Sequence, residues 1–134
     1  MKVKQKIKNR KDLFQGRDIV AVYLYGSFAK GESDEKSDLD IGVLFEDYEG
    51  LEQVVDLEEA LEPCFDKEID LRPLNVDDIV FKKEVVKTGE LVFELKRDKR
   101  CKFEESVMRK YLDMKPYIQR YYNSRSERLE GLKS

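Results

Sequence analysis

The sequence predicts an α/β domain, with a small, mixed, twisted sheet whose helices pack mainly on one face and whose acidic residues lie on the other. Three observations support this class. Residues 19–25 form an apolar, β-branched and aromatic run, which is typical of a strand buried on both faces. Two later segments, 39–46 and 64–74, alternate between apolar and polar residues, as half-buried strands do. Other segments repeat apolar residues at helical spacing.

Composition indicates a single domain. The 134 residues are 40% hydrophobic and 41% charged, which is enough chain for one core. We expect one domain over residues 1–134, with a catalytic core at about 16–95 and a C-terminal helical element at about 101–123. The net charge is −3, so nothing in the overall charge favours nucleic-acid binding. No apolar run approaches the roughly 20 residues of a membrane span, so we expect a cytoplasmic protein without a membrane partner.

The residue types that are missing restrict the chemistry. The chain has no histidine, which excludes histidine-based catalysis and histidine metal sites. Cys64 and Cys101 lack the spacing of metal ligands. Any metal in this protein must therefore be held by carboxylates.

The first elements follow in chain order. A basic helical segment over residues 1–14 ends at Gly16, before the first strand. A helix over residues 51–61 stops at Pro63. A second helix over residues 76–86 ends at Thr88-Gly89, and residues 91–95 read as a short strand at the edge of the sheet or closing it.

The last predicted element is a long helix that begins at about residue 103. Pro116 predicts a kink near Asp113, and residues 123–134 are expected to fray. Apolar residues spaced three or four apart give it one continuous stripe: Phe103, Val107, Tyr111, Met114, Ile118 and Tyr121. The stripe predicts a core-packing helix, and a partner surface is the alternative.

Two basic segments, 1–11 and 96–100, are candidates for RNA contact. We favour a solvated helix face for the first and a solvated loop for the second, because no aromatic residue interleaves the charges of residues 96–100. RNA contact is therefore possible but not favoured.

The junction after the first strand has the features of a phosphate-binding turn. Gly26 allows backbone to approach a ligand closely, and Ser27 can cap a short helix whose free N–H groups suit a polyphosphate. Lys30 adds a positive charge for the same anion. These three residues are the candidate nucleotide-binding set, although a Gly-Ser pair alone is usually only a turn.

Three aspartates are the candidate catalytic and metal-binding residues. Asp38 and Asp40 lie two apart on the polar face of segment 39–46, so their carboxylates can converge on one or two magnesium ions. If segment 64–74 forms the neighbouring strand, Asp70 completes the set and can accept the proton of an attacking hydroxyl. Glu68 and Asp66 share the face of Asp70 and are alternatives for the third position.

In order and spacing, these motifs resemble a known family. Gly26-Ser27, ten residues, then Asp38-x-Asp40 is similar to the signature of the DNA polymerase β-like nucleotidyltransferase superfamily. The form GSFAKGESDEKSDLDIGVL resembles its minimal nucleotidyltransferases, the MNT family, over about residues 18–73. The resemblance implies the polymerase β-like fold, with the Gly-Ser pair holding the triphosphate and the first two aspartates, joined by a third, holding the metals.

The resemblance also implies a function. Many MNT proteins are encoded beside a HEPN-domain ribonuclease in toxin–antitoxin pairs. The expected activity is Mg²⁺-dependent transfer of a nucleoside monophosphate, AMP from ATP, to a hydroxyl on a partner protein, a tyrosine of the HEPN toxin. Such a chain would be an antitoxin that acts by AMPylation, with two Mg²⁺ ions and ATP as substrate.

Two other readings stay open from the sequence. One is nucleotidyl transfer to a small molecule or to an RNA end. The other is an antitoxin that only binds its partner, although pure binding would not require the glycine, serine and aspartates in this arrangement.

Overall fold

The computed structural model describes residues 3–26 and 38–133, which form four helices and four strands. Short 3₁₀ turns follow the first helix at Lys11–Leu13 and the second at Glu62–Cys64. In chain order the elements are α1 (Val3–Asn9), β1 (Ile19–Tyr25), β2 (Leu39–Phe45), α2 (Leu51–Leu61), β3 (Ile69–Pro73), α3 (Ile79–Thr88), β4 (Glu90–Glu94) and α4 (Arg97–Lys133).

The four strands form one mixed sheet in the order β3-β2-β1-β4. β1 pairs antiparallel with β2 and with β4, whereas β2 and β3 are parallel. The parallel pair is joined by α2, as a parallel connection requires. The predicted α/β class and mixed sheet are confirmed, and the segment predicted as a short last strand is the edge strand β4.

One face of the sheet carries the larger core. Alternate residues of β2 point to it, and α1 and α2 cover it with Ile7, Leu57 and Leu61. The β2 residues on this face are Leu39, Ile41, Val43 and Phe45, as the alternation of segment 39–46 predicts.

The second face is also covered by helices, which differs from the expectation that helices pack mainly on one face. Its core joins Tyr23 and Leu44 to Val85 of α3, and Phe103 of α4 packs against it. The apolar residues on both sides of β1 require this arrangement, because each face must be buried. Polar residues occupy only the end of this face.

Helix α4 is longer at both ends than the sequence predicts. The basic segment expected to be a loop forms its first turn, and the helix continues across Pro116 and through the region expected to fray. Arg100 explains the early start, since its guanidinium pairs with Glu94 on β4 and with Glu104 one turn further along the helix. The kink near Asp113 stays a prediction.

Within the described ranges, none of the helices is both long enough and apolar enough to cross a membrane.

Candidate active site

The site begins at the turn that ends β1. Gly26 has φ +71°, a conformation that side chains with a Cβ rarely adopt. A Cβ at this position would also overlap the Oδ2 atom of Asp40. The backbone of the turn therefore requires glycine, and a methyl group here would push the carboxylate of Asp40 aside. Ser27 and Lys30 lie outside the described residues, so their phosphate contacts stay predictions.

Two of the predicted aspartates are neighbours across the sheet. The register pairs Tyr25 of β1 with Asp40 of β2, and Asp40 with Asp70 of β3. Paired residues point to the same face, so the three side chains form one row next to Gly26. Alternation along each strand placed these carboxylates correctly, and the parallel pairing of β2 with β3 brings them together.

The electrostatics of the row favour a cation. Burial is the main reason that the pKa of Asp40 is raised, and the negative charges of Asp70 and Asp38 raise it further. The guanidinium of Arg72 lowers it, but less than burial raises it. A divalent cation would relieve this repulsion, and carboxylate oxygens are the ligands that Mg²⁺ prefers.

An acidic cleft of about 350 Å³ opens beside the row. Asp38, Asp70 and Glu68 line it from the sheet, and Glu58 and Glu62 line it from α2 and the turn that follows. The pKa of Glu58 is raised by burial and by the charge of Asp70. The sequence did not identify the two carboxylates from the helical side, because their polar positions there resemble any solvated helix face.

The structure separates the candidates for the third carboxylate. Asp70 is in register with Asp40, and Glu68 lies in the same cleft. Asp66 instead lines a different pocket with Val3 and Lys6 of α1. These positions therefore favour Asp70 as the third carboxylate. Glu68 lies in the same cleft and stays an alternative, whereas the position of Asp66 argues against it.

A complete metal-binding set is absent from residues 3–26 and 38–133, where no three Asp, Glu, His or Cys side chains are arranged to hold an ion. Asp40 and Asp70 are brought together, and Asp38 lines the adjoining cleft without completing such a set. The donor chemistry nevertheless fits magnesium, because the row supplies oxygen ligands whose charges are only partly balanced by Arg72.

Two further side chains, Arg72 and Phe81, frame the row. Arg72 Nε lies 3.4 Å from Asp70 Oδ2, and its guanidinium lies over the ring of Phe81, 5.7 Å from the centroid. Tyr25 packs edge-on against the same ring, with 5.5 Å between centroids. The sequence could have placed Arg72 at the site, because it lies two residues after Asp70 on the same face of the strand. It could also have placed Tyr25 there, because Tyr25 immediately precedes Gly26. Nothing in the sequence indicated Phe81.

The hydroxyl of Tyr25 is buried and has no hydrogen-bond partner among the residues that the structure describes. Burial raises the pKa of Tyr25, so the group is a neutral phenol at physiological pH. A buried donor at this position is available to an acceptor oxygen that enters the site.

A mixed sheet with in-register aspartates beside a glycine turn defines a nucleotidyl-transfer domain, and comparison with known proteins identifies the family. The model of the family described as "Polymerase beta, Nucleotidyltransferase" matches residues 5–98. The chain belongs to this family and is a nucleotidyltransferase. No curated protein gave a significant match.

Solved structures resemble the chain over nearly its whole length. A chain of a toxin–antitoxin structure with AMP-PNP is 23% identical, with a TM-score of 0.76, covering 91% of this chain and 97% of that one. A chain from a complex of a tri-AMPylated Shewanella oneidensis HEPN toxin with its MNT antitoxin is 21% identical, with a TM-score of 0.71 and coverage of 91% and 98%. A chain of the MntA–HepT toxin–antitoxin has a TM-score of 0.69 at 20% identity, with coverage of 90% and 96%. These likenesses show a shared fold, and the family match confirms the resemblance to the polymerase β-like nucleotidyltransferases.

Proposed function

We propose that this nucleotidyltransferase transfers AMP from ATP, with Mg²⁺, to a tyrosine hydroxyl of a HEPN ribonuclease toxin in the cytoplasm, and so acts as the antitoxin of the pair. The fold neighbours support the donor and the partner, since one contains AMP-PNP and another an AMPylated HEPN toxin bound to an MNT antitoxin. The observation that carries the proposal is the pairing of Asp40 with Asp70 beside the glycine turn.

The chain's own residues account for the chemistry. Asp40 and Asp70, with Asp38, would hold magnesium, which when bound supplies positive charge to the phosphate oxygens. The acceptor hydroxyl attacks the α-phosphorus, the bond from that phosphorus to the bridging oxygen breaks, and pyrophosphate leaves. Asp70 takes the hydroxyl proton, and Arg72 on Phe81 keeps that carboxylate in position.

The test is intact-mass spectrometry of the purified product of the adjacent gene after incubation with this protein, Mg²⁺ and ATP. The native chain should add AMP groups, whereas Asp40→Asn and Asp70→Asn should each lower the rate at least about 100-fold, since even outer-shell changes at metal sites cost 10- to 100-fold. Asp66→Asn is the matched control, because its carboxylate lies outside the cleft.

Two results would contradict the proposal. An unmodified partner that is still bound and inhibited would indicate an antitoxin that works by binding alone. AMP incorporation into a small molecule or an RNA end, with the protein partner untouched, would show a different acceptor.

A further inference from the structure

The distal part of α4 carries large apolar and aromatic side chains that are exposed to solvent. Val107 is buried against the domain with 3% exposure, but Tyr117, Tyr121 and Tyr122 are 65%, 58% and 52% exposed. At 100° per residue these tyrosines continue the same side of the helix that packs on the domain. We call this set the distal stripe: Met114, Tyr117, Ile118, Tyr121 and Tyr122.

The base of the helix is fixed, so the distal stripe projects from a rigid element. Arg100 is bound by Glu94 and Glu104, and Tyr23 Oη donates to Glu104 Oε1 at 2.7 Å. Phe103 packs into the core of the second face. These contacts set the direction in which α4 leaves the domain.

The charge along the exposed turns is mainly positive. Between residues 109 and 126 there are five basic residues and one acidic residue, although the whole chain has a net charge of −3. A second copy of this helix would bring like charges together. The complementary occupant is therefore an acidic surface and not a second copy of this helix.

The aromatic rings favour a protein over a nucleic acid. The guanidinium groups of Arg120 and Arg125 lie over the rings of Tyr117 and Tyr121, at 5.1 and 6.0 Å from their centroids. One face of each of these rings is thus covered by a cation of the same helix, which leaves less ring area for bases to stack on. Met114 and Ile118 add aliphatic area between the rings, and exposed area of this kind suits a protein partner.

We propose that the distal stripe is the docking surface for an acidic helical face of the acceptor protein, separate from the catalytic row. The inference depends on the proposed function for the identity of that acceptor. The stripe continues the side by which α4 already packs on its own domain, so a partner helix would extend an existing helix–helix interface.

The experiment compares two double variants of the full-length chain. Tyr117→Ser/Tyr121→Ser removes the stripe, and Leu112→Ser/Gln119→Ser alters equally exposed positions on the opposite side of the same helix. Binding to the purified product of the adjacent gene is measured by calorimetry, and Mg²⁺–ATP binding by thermal shift. The stripe variant should bind the partner at least about tenfold more weakly, because buried tyrosines dominate interfaces. The control should stay close to native, and both should bind ATP normally.

The proposed acidity of the partner surface is tested with the double variant Arg120→Glu/Arg125→Glu. It should weaken binding to the partner most at low salt. Equal affinity of the stripe variant and the native chain would overturn the inference. So would a native dimer that the stripe variant makes monomeric, or a stripe that binds a single-stranded RNA oligonucleotide instead of the protein. A partner that is bound through the stripe but never AMPylated would reject the proposed function and leave the docking surface standing.

Discussion

Gly26 is the residue at which backbone geometry and site chemistry meet. We expect Gly26→Ala to destabilise the fold by about 1–2 kcal/mol, since φ is positive and the new methyl overlaps Asp40, and to abolish nucleotidyl transfer. Gly16→Ala is the matched control, because Gly16 has φ +78° with open space around it. Chemical denaturation of both variants separates backbone strain from overlap. Equal losses in the two would show that the contact with Asp40 is irrelevant.

Removing the hydroxyl of Tyr23 should lower the stability of the fold, whereas removing that of Tyr25 should not. Tyr23 donates to the Glu104 carboxylate, so Tyr23→Phe should cost about 1.5–3 kcal/mol. Tyr25→Phe removes a buried hydroxyl that has no partner within the described part of the chain, so stability should be unchanged or rise by about 1 kcal/mol. Urea unfolding of the two variants measures both values. A large loss from Tyr25→Phe would mean that its hydroxyl is already bonded.

At Asp40, the ionised carboxylate should lower the stability of the fold although nucleotidyl transfer needs it. Its raised pKa means that the folded chain binds a proton more tightly than the unfolded chain. The free energy of unfolding therefore falls as pH rises from the ordinary value of 3.8 through the raised pKa, and the ionised carboxylate disfavours the fold at neutral pH. Without metal at pH 7, Asp40→Asn should melt no lower than native and lose that pH dependence, while transfer is abolished. A lower melting temperature would contradict this account.

At the scale of the element, α4 depends on the ion pairs at its base. Arg100 has a side chain only 14% exposed, and its loss would remove the ion pair of Glu104 and leave Glu94 with only Arg97, whose Nε lies 3.9 Å from Glu94 Oε1. Arg100→Met should cost about 2–3 kcal/mol and speed amide exchange in the first turns of the helix. Arg109→Met is the control, because its pair with Glu105 is exposed and should be worth under about 0.5 kcal/mol. Similar losses of stability in both variants would show that the ion pairs of Arg100 do not stabilise the start of α4.

The elements also show where sequence reasoning succeeds and where it stops. Alternation and glycine placement locate β1, β2, Asp40 and Asp70, because side-chain period and turn chemistry are local properties. The packing of helices on the second face of the sheet depends on contacts between distant segments, which no local pattern encodes. The same is true of the contact between Arg72 and the ring of Phe81. The start of α4 was missed for the same reason, since Arg100 is held by a residue on another strand.

At the scale of the whole molecule, the domain should fold without the outer turns of α4. Side chains from residue 112 to 126 are exposed apart from the half-buried Ile118. A chain ending after Tyr111 should therefore melt within about 3 °C of the native protein and still bind ATP, while losing affinity for its partner. Calorimetric melting with and without Mg²⁺–ATP tests this. A truncated chain that fails to fold would assign the outer turns to the core.

The length of α4 has a consequence for how often the enzyme must find its substrate. Thirty-seven helical residues extend about 55 Å, whereas a seven-residue strand spans about 23 Å. A partner bound at the proposed docking surface on the outer turns would be held at one place while its hydroxyls reach the site at another. Tethering turns each later transfer into an intramolecular event at high effective concentration. Under the proposed function, successive AMP groups could then be added to one partner molecule within a single encounter.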